Sequence, residues 1–323
     1  MTRFDEDVVI VGSGFGGSVA SLRLAEKGYR VRVYEAGRRF EDDDFAKTSW
    51  NLRRYLWAPM LGCYGVQRIH RLPHVMILAG AGVGGGSLNY ANTLYQPGPA
   101  FFQDPQWRGI AEWESELSPH YATAKRMLGV VEHYPHTGPV ERIMAGAADD
   151  LGVGSTFRRA PVGVWFGKPG ERTTDPFFGG EGPDRTGCTL CGNCMVGCRV
   201  GAKNTLMKNY LALAERRGVS IEALRTVSEV RELPGGGFAV TTQRSGAWFR
   251  HGRRTVTAEQ VVLAAGTWGT QQLLHRMKAS GALPRVSDAL GRLTRTNSEA
   301  LDGAVATAVP ESLELARGIA ITT

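Results

Sequence analysis

Val8-Val-Ile-Val11, Gly12-Ser-Gly14-Phe-Gly-Gly17, Ser18-Val-Ala-Ser-Leu-Arg-Leu-Ala-Glu-Lys27 and Tyr29-Arg-Val-Arg-Val-Tyr-Glu35 follow one another almost without a break. The unbroken apolar run predicts a strand buried on both faces. The pattern after Gly17 predicts a helix that Gly28 stops, and the alternation over Tyr29–Glu35 predicts a second strand. Each glycine then has a task. Gly12 allows a tight turn, Gly14 lets a pyrophosphate approach the backbone, and Gly17 lets the helix pack closely on the sheet. The phosphates would meet the free N–H groups and positive end of the helix. Glu35 stands where a carboxylate accepts hydrogen bonds from ribose hydroxyls. A glycine triplet alone is weak evidence, but strand, glycines, helix, strand and acid in this order specify a dinucleotide-binding unit. FAD and NAD both suit such a unit. On this reading Gly14→Val abolishes binding, whereas Glu35→Gln weakens it less because an amide still bonds to ribose.

The composition agrees with a large globular protein. The 323 residues include 42 glycines, gathered in a few clusters without a G-X-Y period, so collagen and low-complexity disorder are excluded. No stretch reaches the ~18 consecutive apolar residues of a membrane span. The acidic start Met1-Thr-Arg-Phe-Asp-Glu-Asp shows no signal-peptide pattern. The expectation is a soluble, cytoplasmic protein. The net charge of +7 is spread over pairs such as Arg38-Arg39, Arg158-Arg159 and Arg253-Arg254. None forms a basic stripe interleaved with aromatics, so an anionic small molecule is favoured over nucleic acid.

A second glycine cluster, Leu78-Ala-Gly80-Ala-Gly82-Val-Gly84-Gly85-Gly86-Ser87-Leu-Asn89-Tyr-Ala-Asn92, is flanked by the apolar His74–Leu78 and by Leu88 and Tyr90. Those flanks predict burial, and buried glycine-rich backbone marks a close approach by a ligand. Here the sequence resembles the glucose–methanol–choline (GMC) oxidoreductases, in particular their cholesterol-oxidase-like branch. Three further stretches are similar to that family. They are Thr226-Val-Ser-Glu-Val230, Gly201-Ala-Lys203-Asn-Thr205 with Asn209, and Val261-Val-Leu-Ala-Ala-Gly266-Thr-Trp-Gly269. Glu35-Ala-Gly37-Arg38 likewise resembles the strand end of flavoprotein dinucleotide folds.

The resemblance implies FAD as cofactor and hydride transfer from an alcohol, a 3-hydroxysteroid being the first guess, to the flavin. It implies that Gly82, Gly84, Gly85, Gly86 and Ser87 run along the FAD pyrophosphate towards the ring. It also implies that the backbone near Val227 meets the adenine, and that Gly266 and Gly269 return to the flavin. Asn89 and Asn92 stand on either side of the position where many members carry a flavin-contacting asparagine. The family's catalytic His–Asn or His–His pair lies in a C-terminal third that would follow Thr323. None of the seven histidines stands in such a motif, so no base is nominated. The rival readings are an inactive, truncated nucleotide-binding remnant and a flavin and iron–sulfur electron-transfer subunit.

Cys188-x2-Cys191-x2-Cys194-x3-Cys198 has the spacing of an iron–sulfur ligand run. Cys188, Cys191 and Cys194 would hold three irons, with Cys198 or the distant Cys63 completing the set. Zinc and uncomplexed thiols are the alternatives.

The expected fold is α/β, a Rossmann-like FAD-binding domain carrying an inserted, incomplete α+β substrate domain. The FAD-binding domain would take residues 1–96 and 201–294, and the substrate domain 97–200 and 295–323. Gly318-Ile-Ala-Ile-Thr-Thr323 reads as the beginning of a strand, and Gly235-Gly-Gly237 as a hairpin turn.

Overall fold

The computed structural model describes residues 4–134, 136–249, 251–294 and 297. In chain order its main elements are β1 (Glu6–Val11), α1 (Phe15–Glu26), β2 (Val31–Tyr34), β3 (Gln67–Arg71) and β4 (Met76–Gly80). There follow α2 (Trp113–Met127), α3 (Pro139–Asp150), α4 (Tyr210–Arg216), β5 (Ser220–Glu222), β6 (Arg225–Glu232), β7 (Phe238–Arg244), β8 (Arg254–Leu263) and α5 (Gly266–Ala279). Six strands form one sheet in the order β6-β7-β8-β1-β2-β5. β8, β1, β2 and β5 run parallel, whereas β6, β7 and β8 form an antiparallel meander.

The apolar run of β1 is explained by burial on both sides. Val8 and Ile10 pack with Leu22 of α1 and Leu211 of α4 on one face. Val9 and Val11 pack with Leu273 and Met277 of α5 on the other. All four are at most 5% exposed, and burying each contributes about 1.5–3 kcal/mol. The sheet is therefore covered by helices on both faces, as the Rossmann-like expectation requires.

β8 is longer than the apolar Val261–Leu263 suggested. Its first half pairs with β7 and its second half with β1, so one strand joins the meander to the parallel sheet. Gly235–Gly237 does turn the chain between β6 and β7, with Leu233 N–H donating to the Gly237 carbonyl at 3.0 Å. One expectation fails. The apolar His74–Leu78 lies on the β3–β4 hairpin, where Val75, Met76 and Leu78 are 44–57% exposed. The glycine loop beyond it is buried all the same, because it packs onto the phosphate turn rather than under those flanks. The strand expected at Gly318–Thr323 and the chain from 298 onward lie outside the described residues.

Outside the sheet, extended segments around Val162–Phe166 and Val200–Lys203 pair by isolated bridges and enclose a small core of Tyr134, Ala160, Val162, Val164 and Ala202. Asp175 fastens the loop beside them. Its carboxylate accepts backbone N–H bonds from Phe177, Phe178, Gly180 and Gly182 at 2.8–3.1 Å. Burial by itself raises the pKa, but the converging amides outweigh it and hold the carboxyl below its ordinary 3.8. A depressed carboxyl pKa means that the folded state binds fewer protons than the unfolded one. Its stabilisation is thus complete above the unfolded pKa and is lost as pH falls through the folded pKa. Asp175→Asn is expected to lower stability near neutrality, with the gap to the parent closing as pH falls below the ordinary carboxyl pKa of 3.8. Urea melts of both chains from about pH 6 to about pH 2 measure this. A gap that stays constant with pH would contradict it.

Candidate cofactor site

The carboxyl ends of β1, β2 and β8 converge at one edge of the sheet, the place where open α/β sheets bind ligands. β1 delivers Gly12–Gly17, β2 delivers Glu35, and β8 delivers Ala264 to Gly266. Gly12 has φ +98°, which only glycine adopts readily, and a side chain there would strike Ala264. A Cβ on Gly17 would strike the carbonyl oxygen of Gly12, so this glycine serves helix-to-strand packing. Gly14 differs. It has ordinary φ −69°, and a Cβ there would meet only the Gly85 Cα, 4.0 Å away. Its missing side chain leaves open space above the first turn of α1.

That turn has no side-chain cap and no acidic residue. The first intrahelical bond is Ser18 N–H to Gly14 O, so the N–H groups of residues 15–17 precede it and point at the open space. An uncapped helix start of this kind is what anion sites are built from.

Glu35 is 7% exposed and already engaged. Its Oε2 accepts from Ser13 N–H at 3.1 Å and Ser13 Oγ at 2.8 Å, and its Oε1 accepts from Gly37 N–H at 2.8 Å. Ser13 Oγ in turn accepts from Gly84 N–H at 3.1 Å. A fully buried serine thereby ties the phosphate turn, the end of β2 and the second glycine loop together. The sequence reading missed Ser13, because nothing in the motif distinguishes it from a spacer. It also assigned Glu35 wholly to ribose, whereas three of the carboxylate's roughly four acceptor sites are spent on the protein.

The second glycine loop is shaped by contacts within the protein. Absent side chains at Gly82 and Gly84 make room for Leu88, and at Gly85 for the Gly14 backbone, 2.6 Å from where a Cβ would sit. Ser87 Oγ donates to Gly84 O at 2.7 Å and accepts from Leu206 N–H at 2.9 Å, so its hydroxyl faces inward. These glycines bring one loop onto another, and only Gly86, half-buried with Phe15 no nearer than 4.0 Å, is left open.

Asn89 Nδ2 donates to Gln67 Oε1 at 2.7 Å. Asn92 is fully buried at φ +61°, and both polar atoms of its side chain lack a partner. Val227 is buried in β6, whose start hydrogen-bonds to Glu35 and Gly37. Gly266 opens α5 and faces open space, while Gly269 packs on Ala265. Between them Trp268 packs at a tilt of 38° against His70, ring centroids 5.2 Å apart, and the Nε1 of one and Nε2 of the other are buried without a partner. Burial, followed by nearby Arg68, lowers the His70 pKa, which favours the neutral imidazole. No signal in the sequence marked His70, which the β3–β4 hairpin carries to Trp268.

Residues 7–320 match the family described as FAD dependent oxidoreductase. The chain belongs to that family. Within it, the chain is 59% identical to a cholesterol oxidase of Mycobacterium tuberculosis, over 98% of this chain and 56% of that one. It is 43% identical to a cholesterol oxidase of Acinetobacter baumannii, over 99% of this chain and 59% of the other. This FAD dependent oxidoreductase chain therefore spans just over half the length of these curated relatives, and its likeness runs to the GMC-type, cholesterol-oxidase-like branch. The crystal structure of pyridoxine 4-oxidase from Mesorbium loti shares the fold, with TM-score 0.54 and 19% identity over 84% of this chain and 52% of that one.

The residues present fit FAD. The open space at Gly14, the free amides of α1 and the unpartnered atoms of Asn92, His70 and Trp268 supply what a phosphate-bearing ring system needs. No described helix is long and apolar enough to cross a membrane.

The four cysteines are brought together, though not as a single-ion site. Cys188, Cys191, Cys194 and Cys198 line one small cavity of about 10 Å³, with Lys203 and Val164 in its wall. Among the described residues no three His, Cys, Asp or Glu side chains stand close enough to hold one metal ion. Cys63 lies elsewhere, on a short hairpin with Tyr64, and does not line the cavity. Burial pushes the Cys188 thiol up to about 12.

Proposed function

We propose that this chain carries the cofactor-binding part of an enzyme that oxidises the CH–OH group of a hydrophobic alcohol of the sterol class. The observation that carries this is the open space at Gly14, framed by loops that lock on Ser13. FAD, when bound, supplies the hydride acceptor. The N–H groups of residues 15–17 bind its pyrophosphate, and Gly12 and Gly17 hold the turn in shape. Glu35 fixes that turn and keeps one acceptor site for ribose. The backbone at Val227 flanks the adenine side. Of the two asparagines, Asn92 is the better candidate for a polar contact to the ring, because Asn89 is spent on Gln67. Gly86 and the start of α5 at Gly266 line the way to the ring, and His70 and Trp268 close it against water.

The division into 1–96 with 201–294 for FAD, and 97–200 with 295–323 for substrate, rests on two features. Every strand of the large sheet falls in the first pair of segments, and the separate core of Tyr134, Ala160, Val162 and Val164 falls in the second, with Ala202 joining it from just past the boundary. The sterol class rests on similarity to cholesterol oxidases.

The test compares the 323-residue chain with one extended to the relatives' length, using a 3-hydroxysteroid and short secondary alcohols. The longer chain is expected to be yellow and to be bleached anaerobically by the steroid. The shorter one is expected to be slower by at least about 10²-fold, the effect of lacking a general base. A colourless protein that binds NADH would overturn the cofactor assignment. Bleaching by short alcohols alone would overturn the substrate class.

A further inference from the structure

One buried cation, Lys203, stands in the wall of the cysteine cavity, and a second, Arg185, bonds the carbonyl of Ala202 in that wall; neither has a carboxylate at ion-pair distance. Lys203 is 1% exposed, and its Nζ donates to the carbonyls of Leu88 at 2.9 Å, Tyr90 at 3.1 Å and Cys194 at 2.7 Å. Arg185 is 2% exposed and donates to the carbonyls of Gly201 and Ala202 and to Asn204 Oδ1. Among the described residues neither cation forms a salt bridge. Buried charges are normally paired, since desolvating one alone costs several kcal/mol. Carbonyl dipoles soften that cost without cancelling the charge. An anion belongs beside them.

The cavity shows what that anion is. Four thiols line it together with Lys203 itself. Two of the sulfurs already accept backbone amides: Leu190 N–H donates to Cys188 Sγ and Lys203 N–H to Cys198 Sγ, both at 3.4 Å. Val164, Val200 and Ala202 supply an apolar lining. Amide bonds to sulfur and a partly dry shell are the features by which proteins hold and tune iron–sulfur clusters.

We propose that this cavity binds an iron–sulfur cluster through the thiolates of Cys188, Cys191, Cys194 and Cys198, with the Lys203 ammonium and the Arg185 guanidinium balancing its negative charge. Lys203 also bonds Leu88 and Tyr90, so the cluster lies one side chain away from the second glycine loop.

The experiment purifies the natural protein anaerobically, reconstitutes it with ferrous iron and sulfide, and measures iron, acid-labile sulfide, zinc and FAD per chain. Iron and sulfide in matching, stoichiometric amounts are expected. Cys191→Ser should lower both at least tenfold without unfolding the chain, because Cys191 is exposed, while Cys63→Ser should leave them unchanged. Lys203→Met, where it folds, should shift the cluster's midpoint potential negative. One zinc per chain without sulfide, or trace iron with all thiols titratable, would overturn the proposal. FAD is scored separately, so a cluster without flavin would count against the cofactor site and for this one.

Discussion

A Gly14→Val chain is expected to fold like the parent and to emerge colourless. Valine at this position meets no forbidden backbone, since φ is −69°, and the nearest protein atom to its Cβ is the Gly85 Cα at 4.0 Å. The side chain therefore projects into the space above the first turn of α1, which a pyrophosphate would have to occupy. Excluding the phosphates from those amides removes the anion site altogether. A loss of at least about 100-fold in FAD affinity, near 3 kcal/mol, is the minimum expected. The ratio of flavin to protein absorbance reads the loss, and circular dichroism with a thermal melt reads the fold. Gly17→Ala gives the contrast, because its methyl strikes the Gly12 carbonyl and destabilises the fold itself. Normal flavin content in Gly14→Val would place the phosphates elsewhere.

The second large effect belongs to Glu35→Gln. From sequence this exchange is mild, because an amide still bonds to ribose. The structure makes it severe. An amide has one acceptor oxygen, and its NH2 must face either Ser13 N–H or Gly37 N–H, a donor against a donor. Each buried donor left unsatisfied costs about 1–3 kcal/mol, more where the lost partner was charged. Ser13 Oγ loses its fixed orientation as well, and with it the bond from Gly84 N–H. A fall of several degrees in Tm is expected, together with partial loss of FAD. Ser13→Ala should reproduce part of both effects, since it removes the same link from the other side. An unchanged Tm in Glu35→Gln would mean that the carboxylate serves ribose alone.

The phosphate turn was legible because its constraints are local. A buried parallel strand needs an apolar run, a tight turn needs glycine, and a helix start needs free amides, all within the thirty residues around Gly12. The second glycine loop was tied to flavin only by resemblance, and the contacts its residues make within the protein were not legible. Gly82, Gly84, Gly85 and Ser87 shape the loop against Leu88, Gly14 and Leu206, contacts made with residues as far as 119 positions away. No periodicity encodes such contacts. The cysteine run lay between the two, since its spacing announced sulfur ligation while leaving three occupants open.

By itself, then, the sequence determined the β1–α1–β2 unit, the dinucleotide-binding turn and the grouping of the cysteines, because these depend on neighbours a few residues apart. The tertiary structure decided the rest. It spent Glu35 and Ser13 on locking three loops, brought His70 to Trp268, and excluded Cys63 from the cavity. It also buried Lys203 beside four thiols and Arg185 against the Ala202 carbonyl, neither with a carboxylate at ion-pair distance. Burial and pairing are set by which distant segments meet, and a lysine reads the same in sequence whether water or an apolar wall surrounds it.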